Sequence, residues 1–307
     1  MRSKTTVASL ATLIFLALPF AVIRAQEDPV LLDMTASDKI MPVPDSTEGY
    51  AVIFYTYEDG EGGPLSIRAA KLGPNGIESR RNTIAENVLP NSGEIAFSGP
   101  FEDTPANWYA TWHRAQEQYL VVYATENGIF AQRVRESGAA RGGPKKIMDN
   151  EFIDSLVVVQ SGAKNYILFY KRDFTIYAQL LRKTGKGKGK PKAIAGGAFF
   201  GESMPLDAFC DSRTNAVLFY GTYGYLGDEV RFTAAMYRTN KSLNPIVHQA
   251  FGITAESKKY EGVLAANSRD EEKYLALWPT KSFDLESGDA DDTFGRLVYG
   301  RIASEDG

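Results

Sequence analysis

Cysteine and histidine are scarce in this chain of 307 residues, which has one cysteine and two histidines. The single Cys210 excludes an intramolecular disulfide, so the fold must be stabilised by a hydrophobic core. His113 and His248 lie far apart in the sequence without a third nitrogen or sulfur ligand, although zinc needs three or four protein ligands. The Gly-x-Ser-x-Gly elbow of serine hydrolases is also missing. The sequence therefore argues against disulfide-rich, zinc-dependent and triad-based proteins.

Long apolar runs are absent except at the N-terminus, where residues 7–23 follow Arg2 and Lys4. Ile23 and Ala25 suit the −3 and −1 positions of a signal-peptidase site. We expect residues 1–25 to be a signal peptide and residues 26–307 to be a single secreted or periplasmic domain. An uncleaved anchor is the alternative, but no later segment is long enough to span a bilayer.

An excess of basic residues is absent too, because 34 Lys and Arg are outnumbered by 38 Asp and Glu. A general nucleic-acid-binding protein needs a basic footprint. We therefore expect no nucleic-acid partner, and we expect a monomer that requires no cofactor.

Short apolar runs that end in an aromatic residue recur five times along the chain: YAVIFY, YLVVY, YILFY, AVLFY and YLALW, which begin at residues 50, 119, 166, 216 and 274. A second strand-like run follows each of them, for example IFAQRV and IYAQLL. Repeats of this length, made of strands without helices, are typical of β-propellers. The sequence predicts an all-β, five-bladed propeller with four antiparallel strands in each blade.

The last repeat stops after its third strand. The segment DPVLLDM (Asp28 to Met34) is spare at the other end of the chain. We expect this N-terminal strand to complete the fifth blade and to close the ring, which would remove an exposed sheet edge.

The final aromatic residue of each apolar run occupies one repeat position: Tyr55, Tyr123, Tyr170, Tyr220 and Trp278. A row of aromatic rings can bind sugars by stacking. A residue type that recurs in every blade is better interpreted as a buried contact between neighbouring sheets.

The strings YLVVY…IFAQRV and YILFY…IYAQLL resemble the repeats of bacterial secreted β-propeller proteins. The resemblance is good over about residues 107–197 and weaker in the other three repeats. It implies the fold and export. It implies no catalytic residues, because that family has no shared catalytic set. Five blades also resemble those of glycoside hydrolases such as arabinanases, but no local motif of theirs is present.

The loops between the second and third strands of each repeat are expected on the ligand-binding face, with the connections between repeats. These loops and connections contain aromatic residues that suit sugar or peptide ligands: Tyr57, Phe101, Tyr223, Tyr225 and Phe283. We therefore predict an exported binding or scaffolding protein whose partner is an extracellular glycan or protein.

Charge is divided between the two faces of the predicted ring. The loops at 56–64 and 279–294 are acidic, whereas the turns that follow the third strands of repeats two and three are rich in Arg and Lys. Asp289, Asp291 and Asp292 lack the spacing of an EF-hand but supply the oxygen ligands that Ca²⁺ prefers. A Ca²⁺ site and a solvated acidic loop are the two alternatives there.

A polysaccharide hydrolase or lyase is the alternative function. It would need two carboxylates at the mouth of the central channel. The starts of the inner strands of blades three, four and five offer Asp154, Asp207 (with Glu202 near it) and Glu261. The same residues are also ordinary at the beginning of a strand, so the sequence leaves both functions open.

Overall fold

A computed structural model describes residues 36–45, 47, 50–58, 64–74, 76–89, 107–149, 153–172, 175–195, 206–210, 215–226, 229–253, 258–260, 264–268, 273–282 and 297–304. These residues form five antiparallel sheets in chain order. A single turn of 3-10 helix, Arg114–Gln116, is the one helical element within these ranges. No helix there has the length and apolar character needed to cross a membrane.

Each sheet is built from a contiguous stretch of chain. The first contains β1 (Ala36–Pro44), β2 (Ala51–Glu58), β3 (Leu65–Gly73), β4 (Gly76–Ile77) and β5 (Asn82–Ala85). The second contains β6 (Trp108–His113), β7 (Gln118–Thr125), β8 (Gly128–Val134) and β9 (Lys145–Met148). The third contains β10 (Ile153–Ser161), β11 (Asn165–Arg172), β12 (Thr175–Arg182) and β13 (Lys192–Ala195).

The fourth sheet contains β14 (Asp207–Cys210), β15 (Ala216–Leu226), β16 (Glu229–Thr239) and β17 (Pro245–Ile253). The fifth contains β18 (Lys258–Tyr260), β19 (Leu264–Ser268), β20 (Lys273–Ser282) and β21 (Leu297–Ser304). Both β18 and β19 pair with β20, so they form one interrupted strand along its edge. The predicted closing strand, Asp28 to Met34, lies outside the described residues.

The first strands of successive sheets contact one another in the order β1, β6, β10, β14 and β19. Each sheet therefore packs beside its predecessor through its first strand, and we call these first strands the inner strands. Most connections within a sheet are hairpins; the exceptions are β4 to β5 and β18 to β19, whose two strands pair with the same neighbour. No described strand pairs with a strand of another sheet. The sheets are joined by side-chain packing rather than by backbone ladders.

Both faces of β2, β7 and β11 are buried, which explains why these strands are apolar at nearly every position. In β7, Tyr119, Val121 and Tyr123 pack in a cluster with the first sheet. Leu120 and Val122, which alternate with them, pack against the third sheet. Successive side chains of a strand point to opposite faces, so a strand between two sheets needs apolar residues throughout.

The repeated aromatic position is buried wherever its side chain is described. Tyr55, Tyr123, Tyr170 and Tyr220 are at most 5% exposed. The last three pack in the cluster shared with the preceding sheet. The interpretation of this row as a contact between sheets is confirmed for Tyr123, Tyr170 and Tyr220, whereas Tyr55 is shown only to be buried. Burial raises the pKa of Tyr123 to about 12.

Turns with the same backbone conformation follow β8 and β12. Gln132 and Gln179, at equivalent positions of the two strands, each donate hydrogen bonds from Nε2 to carbonyls of their own turn. Gly138 and Gly185 occupy equivalent positions with φ of 77° and 85°. The Ala-Gln pair that recurs in IFAQRV and IYAQLL therefore supplies the glutamine that stabilises this turn.

Gly185 also brings the turn of the third sheet against the second sheet. A Cβ added there would lie 2.6 Å from Ala131 Cβ and 3.3 Å from Leu120 Cδ1. Glycine is required at this position both by the positive φ and by the close approach of the neighbouring sheet.

We expect Gly185→Ala to lower the free energy of unfolding by about 2–4 kcal/mol, since it combines left-handed strain with overpacking. Chemical denaturation would measure the loss. Gly162→Ala is the matched control, because Gly162 has φ of 64° but no atom near its added Cβ. It should cost about 1 kcal/mol. Equal losses in the two variants would contradict the packing argument.

His113 is a fully buried residue at the end of β6, and its ring packs edge-on against Tyr166 with a centroid distance of 4.8 Å. Burial lowers its pKa to about 4 from the ordinary value of 6.5. Between pH 6.5 and pH 4 the His113 ring therefore binds a proton in the unfolded chain but not in the folded one. The free energy of unfolding consequently decreases as the pH falls from 6.5 towards 4.

We expect this histidine to reduce the free energy of unfolding by about 2 kcal/mol between pH 7 and pH 5. His113→Gln should make the pH dependence shallower by that amount in urea denaturation at the two values. A variant with the same slope as the parent protein would show that another group is responsible.

Candidate functional site

The inner strands begin at one end of the sheets, and polar residues from four of them lie near that end. They are Lys39 on β1, Tyr109 on β6, Asp154 on β10 and Asp207 on β14. In each sheet, the repeated tyrosine of the second strand pairs with a residue of the first strand; for example, Tyr123 pairs with Trp108 and Tyr170 with Leu156. Each of the four polar residues lies within two positions of that paired residue. Equivalent register places the four residues at a similar level of their respective strands.

A hydrogen bond joins the second and fourth sheets at this level. The Tyr109 hydroxyl donates to Asp207 Oδ1 over 3.1 Å. The same oxygen accepts the Ala208 N–H at 2.9 Å. Burial, then the charge of Asp207 and the hydrogen bond to it, raise the pKa of Tyr109 well above its usual value. Tyr109 is thus a permanent donor that holds the carboxylate in place.

Lys39 brings a cation from the first sheet to Tyr109 and its neighbour. Its Nζ donates to the Trp108 carbonyl and lies 4.8 Å from the Trp108 ring centroid and 6.0 Å from that of Tyr109. Burial lowers its pKa to about 8. An ammonium against aromatic faces is stabilised by the ring quadrupole, and its low pKa makes it able to lose a proton near neutral pH.

Irregular pairing occurs where Lys39 and Asp154 lie. The register of β1 with β2 shifts between Ala36 and Ile40, and that of β10 with β11 shifts between Ile153 and Ser155. Asp154 is therefore the additional residue of a β-bulge. Bulges redirect side chains and are frequent beside functional sites.

The aromatic residues expected to bind ligand are differently placed. Tyr57 lies at the end of β2, and the Arg68 guanidinium carbon lies 3.2 Å from its ring centroid, so one face of the ring is covered. Tyr223 and Tyr225, expected in a loop, belong to β15 and pair with Phe232 and Val230. The alternation of Tyr with Thr and Gly extends that hairpin by six residues beyond the expected strand end.

Several predicted site residues lie outside the described ranges: Phe101, Phe283, Glu202, Glu261, Asp289, Asp291 and Asp292. The proposed Ca²⁺ ligands and two of the aromatic residues are among them. Of the predicted carboxylates, Asp154 and Asp207 lie on adjacent inner strands, β10 and β14, which contact each other.

No protein-family model and no curated protein sequence matches this chain. Solved structures do match. The α-L-arabinofuranosidase Arb93A of Fusarium graminearum superposes with a TM-score of 0.50 at 11% identity, over 86% of this chain and 76% of that one. The fold is propeller-like.

Two other solved structures show lower scores. A hydrazine synthase of Kuenenia stuttgartiensis gives a TM-score of 0.47 at 8% identity, covering 87% of this chain and 84% of that one. An endo-arabinase of Bacteroides thetaiotaomicron gives 0.46 at 11% identity, covering 88% and 94%. Identities this low concern the fold alone.

Lys39 and Tyr109 were missed by the sequence analysis, which selected carboxylates and loop aromatics. The repeat itself contains a signal that could have identified Lys39 and Tyr109. When the first strands of the propeller are aligned on the repeated tyrosines, Lys39 and Tyr109 fall within two positions of one another. Both types are unusual at the start of strands that are otherwise apolar.

The low pKa of Lys39 is directly measurable. After reductive ¹³C-methylation of the lysines, we expect one NMR resonance to titrate with a midpoint near pH 8, because burial disfavours the charged form. Lys39→Met should remove that resonance. Lys241→Met, at an exposed turn, should leave it unchanged. A titration near pH 8 that persists without Lys39 would contradict the assignment.

Proposed function

We propose that this chain is an exported five-bladed β-propeller that hydrolyses glycosidic bonds at the central end of its inner strands. The observation that carries the proposal is the Tyr109–Asp207 hydrogen bond, which fixes a carboxylate on β14. The adjacent inner strand β10 has a bulge at Asp154. Lys39 adds a cation to the same end of the sheets.

The first sheet has a face that points away from the second sheet, and the fourth sheet has a face that points away from the third. Both of these faces are buried, which supports a closed ring. Ile53, Tyr55 and Ala70 point away from the second sheet and are at most 8% exposed. Val217 and Met236 point away from the third sheet and are fully buried. A fifth blade between these two faces would cover both, which is the closure that the repeat count predicts.

Glycoside hydrolysis needs one carboxylic acid to protonate the leaving oxygen and one carboxylate to act as base or nucleophile. Asp207, held by the hydroxyl of the half-buried Tyr109 and by the Ala208 N–H, suits the ionised role because donors stabilise its charge. Asp154 would then be the acid. A separation of about 5–5.5 Å between the two carboxyl groups would predict retention of configuration, and about 6.5–9.5 Å inversion.

The neighbour with a TM-score of 0.50 is an arabinofuranosidase that was solved with an iminosugar inhibitor. This similarity supports a glycan as the substrate class. No motif transfers its residues to this chain.

Glycan binding without hydrolysis is the second candidate. It is favoured by the fact that Tyr109, donating to Asp207, already occupies one of the carboxylate oxygens. A half-buried tyrosine of this kind can form the base of a binding site and can also position a neighbouring group.

The test is hydrolysis of arabinans, fructans and aryl glycosides, including an aryl α-L-arabinofuranoside, by the mature protein. Asp207→Asn and Asp154→Asn should each lower kcat/KM by at least ~100-fold, since each removes a proton-transferring or charge-stabilising group. Asp149→Asn is the matched control, because Asp149 is 83% exposed at the end of an outer strand. Its activity should equal that of the parent protein.

Calorimetric titration of the same glycans separates the two candidates. Binding without turnover, lost in Asp207→Asn, would favour the binding protein. Hydrolysis that survives both Asn variants would exclude these carboxylates as the catalytic pair.

A further inference from the structure

A basic surface lies at the outer strands of the second and third sheets. In the strand order of each sheet, these outer strands are at the opposite edge from the inner strands. The surface is formed by the turn between β12 and β13, and in the preceding sheet by the outer strand β9 and the turn that leads into it. Its exposed basic residues are Arg141, Lys145, Lys146, Lys183, Lys186, Lys188 and Lys190. Among the described residues beside them, Asp149 pairs with Lys146 at 2.6 Å, and Glu136 is the other acidic group.

A groove of about 180 Å³ runs between the two parts of this surface. Lys146, Ile147 and Met148 line one side, and Lys186, Gly187 and Pro191 line the other. Cations therefore stand on both walls, with aliphatic surface between them. The groove contains no aromatic side chain on which a nucleobase could stack.

The lysine turn is held rigidly. Gln118 Nε2 donates to the Lys183 carbonyl at 3.0 Å, Lys188 N donates to the Leu180 carbonyl at 2.8 Å, and Arg182 N donates to the Lys186 carbonyl at 2.9 Å. Gly185 packs against Ala131 of the second sheet. The charges are thus displayed on a fixed backbone, which reduces the entropy lost when a ligand binds.

Folding does not require these lysines. The equivalent turn of the second sheet has the same glycine conformations and glutamine hydrogen bonds, but Glu136, Ala139 and Gly143 stand where the third sheet has Lys183, Lys186 and Lys190. These three lysines also lie outside the strands, so protection of a sheet edge does not account for them. Lys192 is different, because its Nζ donates to the Leu243 carbonyl of the fourth sheet at 3.1 Å.

We infer that this basic groove binds an anionic polysaccharide. Carboxylate or sulfate groups along such a chain match the lysines on both walls, and the sugar rings match the aliphatic floor. The inference is independent of the proposed hydrolysis, because the groove and the inner strand ends share no residue. It provides a second contact that would hold the protein on an acidic glycan.

The experiment uses heparin, polygalacturonate and duplex DNA as probes for the mature protein, with affinity measured from 50 to 300 mM NaCl. Heparin and polygalacturonate should bind more tightly than DNA and weaken steeply with salt, because counterions are released on binding. The swap variant Lys183→Glu, Lys186→Ala, Lys190→Gly gives this turn the residues of its neighbour. It should lower the affinity for both polysaccharides at least ~10-fold at 50 mM NaCl.

The matched control removes the same amount of charge elsewhere, by Lys164→Glu, Arg80→Ala and Lys241→Ala, all at exposed positions. It should retain at least half of the affinity. Equal losses in the swap and control variants would overturn the inference, as would DNA binding tighter than either polysaccharide. If the swap lowers the melting temperature, Lys186→Ala alone and a version with Arg at all three positions test the same charge; the first should bind more weakly and the second should bind normally.

Discussion

Burial of the described middle strands on both faces is the constraint on which the rest of this structure depends. A sheet with one solvent-exposed face needs alternating polar and apolar residues, whereas β7 and β11 each pack against a neighbouring sheet on both sides. That requirement produces YLVVY and YILFY, and it fixes the repeated tyrosine at a contact between sheets. It also leaves the inner strand ends and the outer turns as the places where polar residues can vary. The candidate site and the basic groove occupy those two places.

Side chains, rather than backbone ladders, connect successive sheets, and some of the connections are polar. Trp108 Nε1 donates to Thr56 Oγ1 at 2.9 Å, and Asn107 Nδ2 donates to the Ile153 carbonyl at 2.7 Å. These bonds satisfy polar atoms that packing would otherwise leave buried and unpaired. They also fix the level at which one inner strand begins relative to the next. The Tyr109–Asp207 hydrogen bond depends on this alignment, because it reaches from the second sheet to the fourth.

Much of the architecture could be predicted from the sequence because hydrophobic period and turn glycines are local signals. The second and third strands of repeats two and three, YLVVY, IFAQRV, YILFY and IYAQLL, were predicted to within two residues at each end. The β15–β16 hairpin was predicted too short, since Tyr223 and Tyr225 in a Gly-rich segment look like a loop until their cross-strand partners are known. The site was predicted only in part. Asp154 and Asp207 follow from their position at strand starts, but the approach of Lys39 and Tyr109 depends on how three separate sheets converge, which no local pattern contains.

The buried outer face of the first sheet has a consequence for how the chain is made. Ile53, Tyr55 and Ala70 belong to the first of the five sheets in chain order, and in a closed ring the fifth sheet would cover them. Sheets two, three and four can each bury a face as soon as the next repeat is complete, whereas this face waits until the whole chain is available. During that interval it is an apolar surface of the kind that chaperones bind, and the yield of folded protein should depend on how quickly the final repeat follows the first.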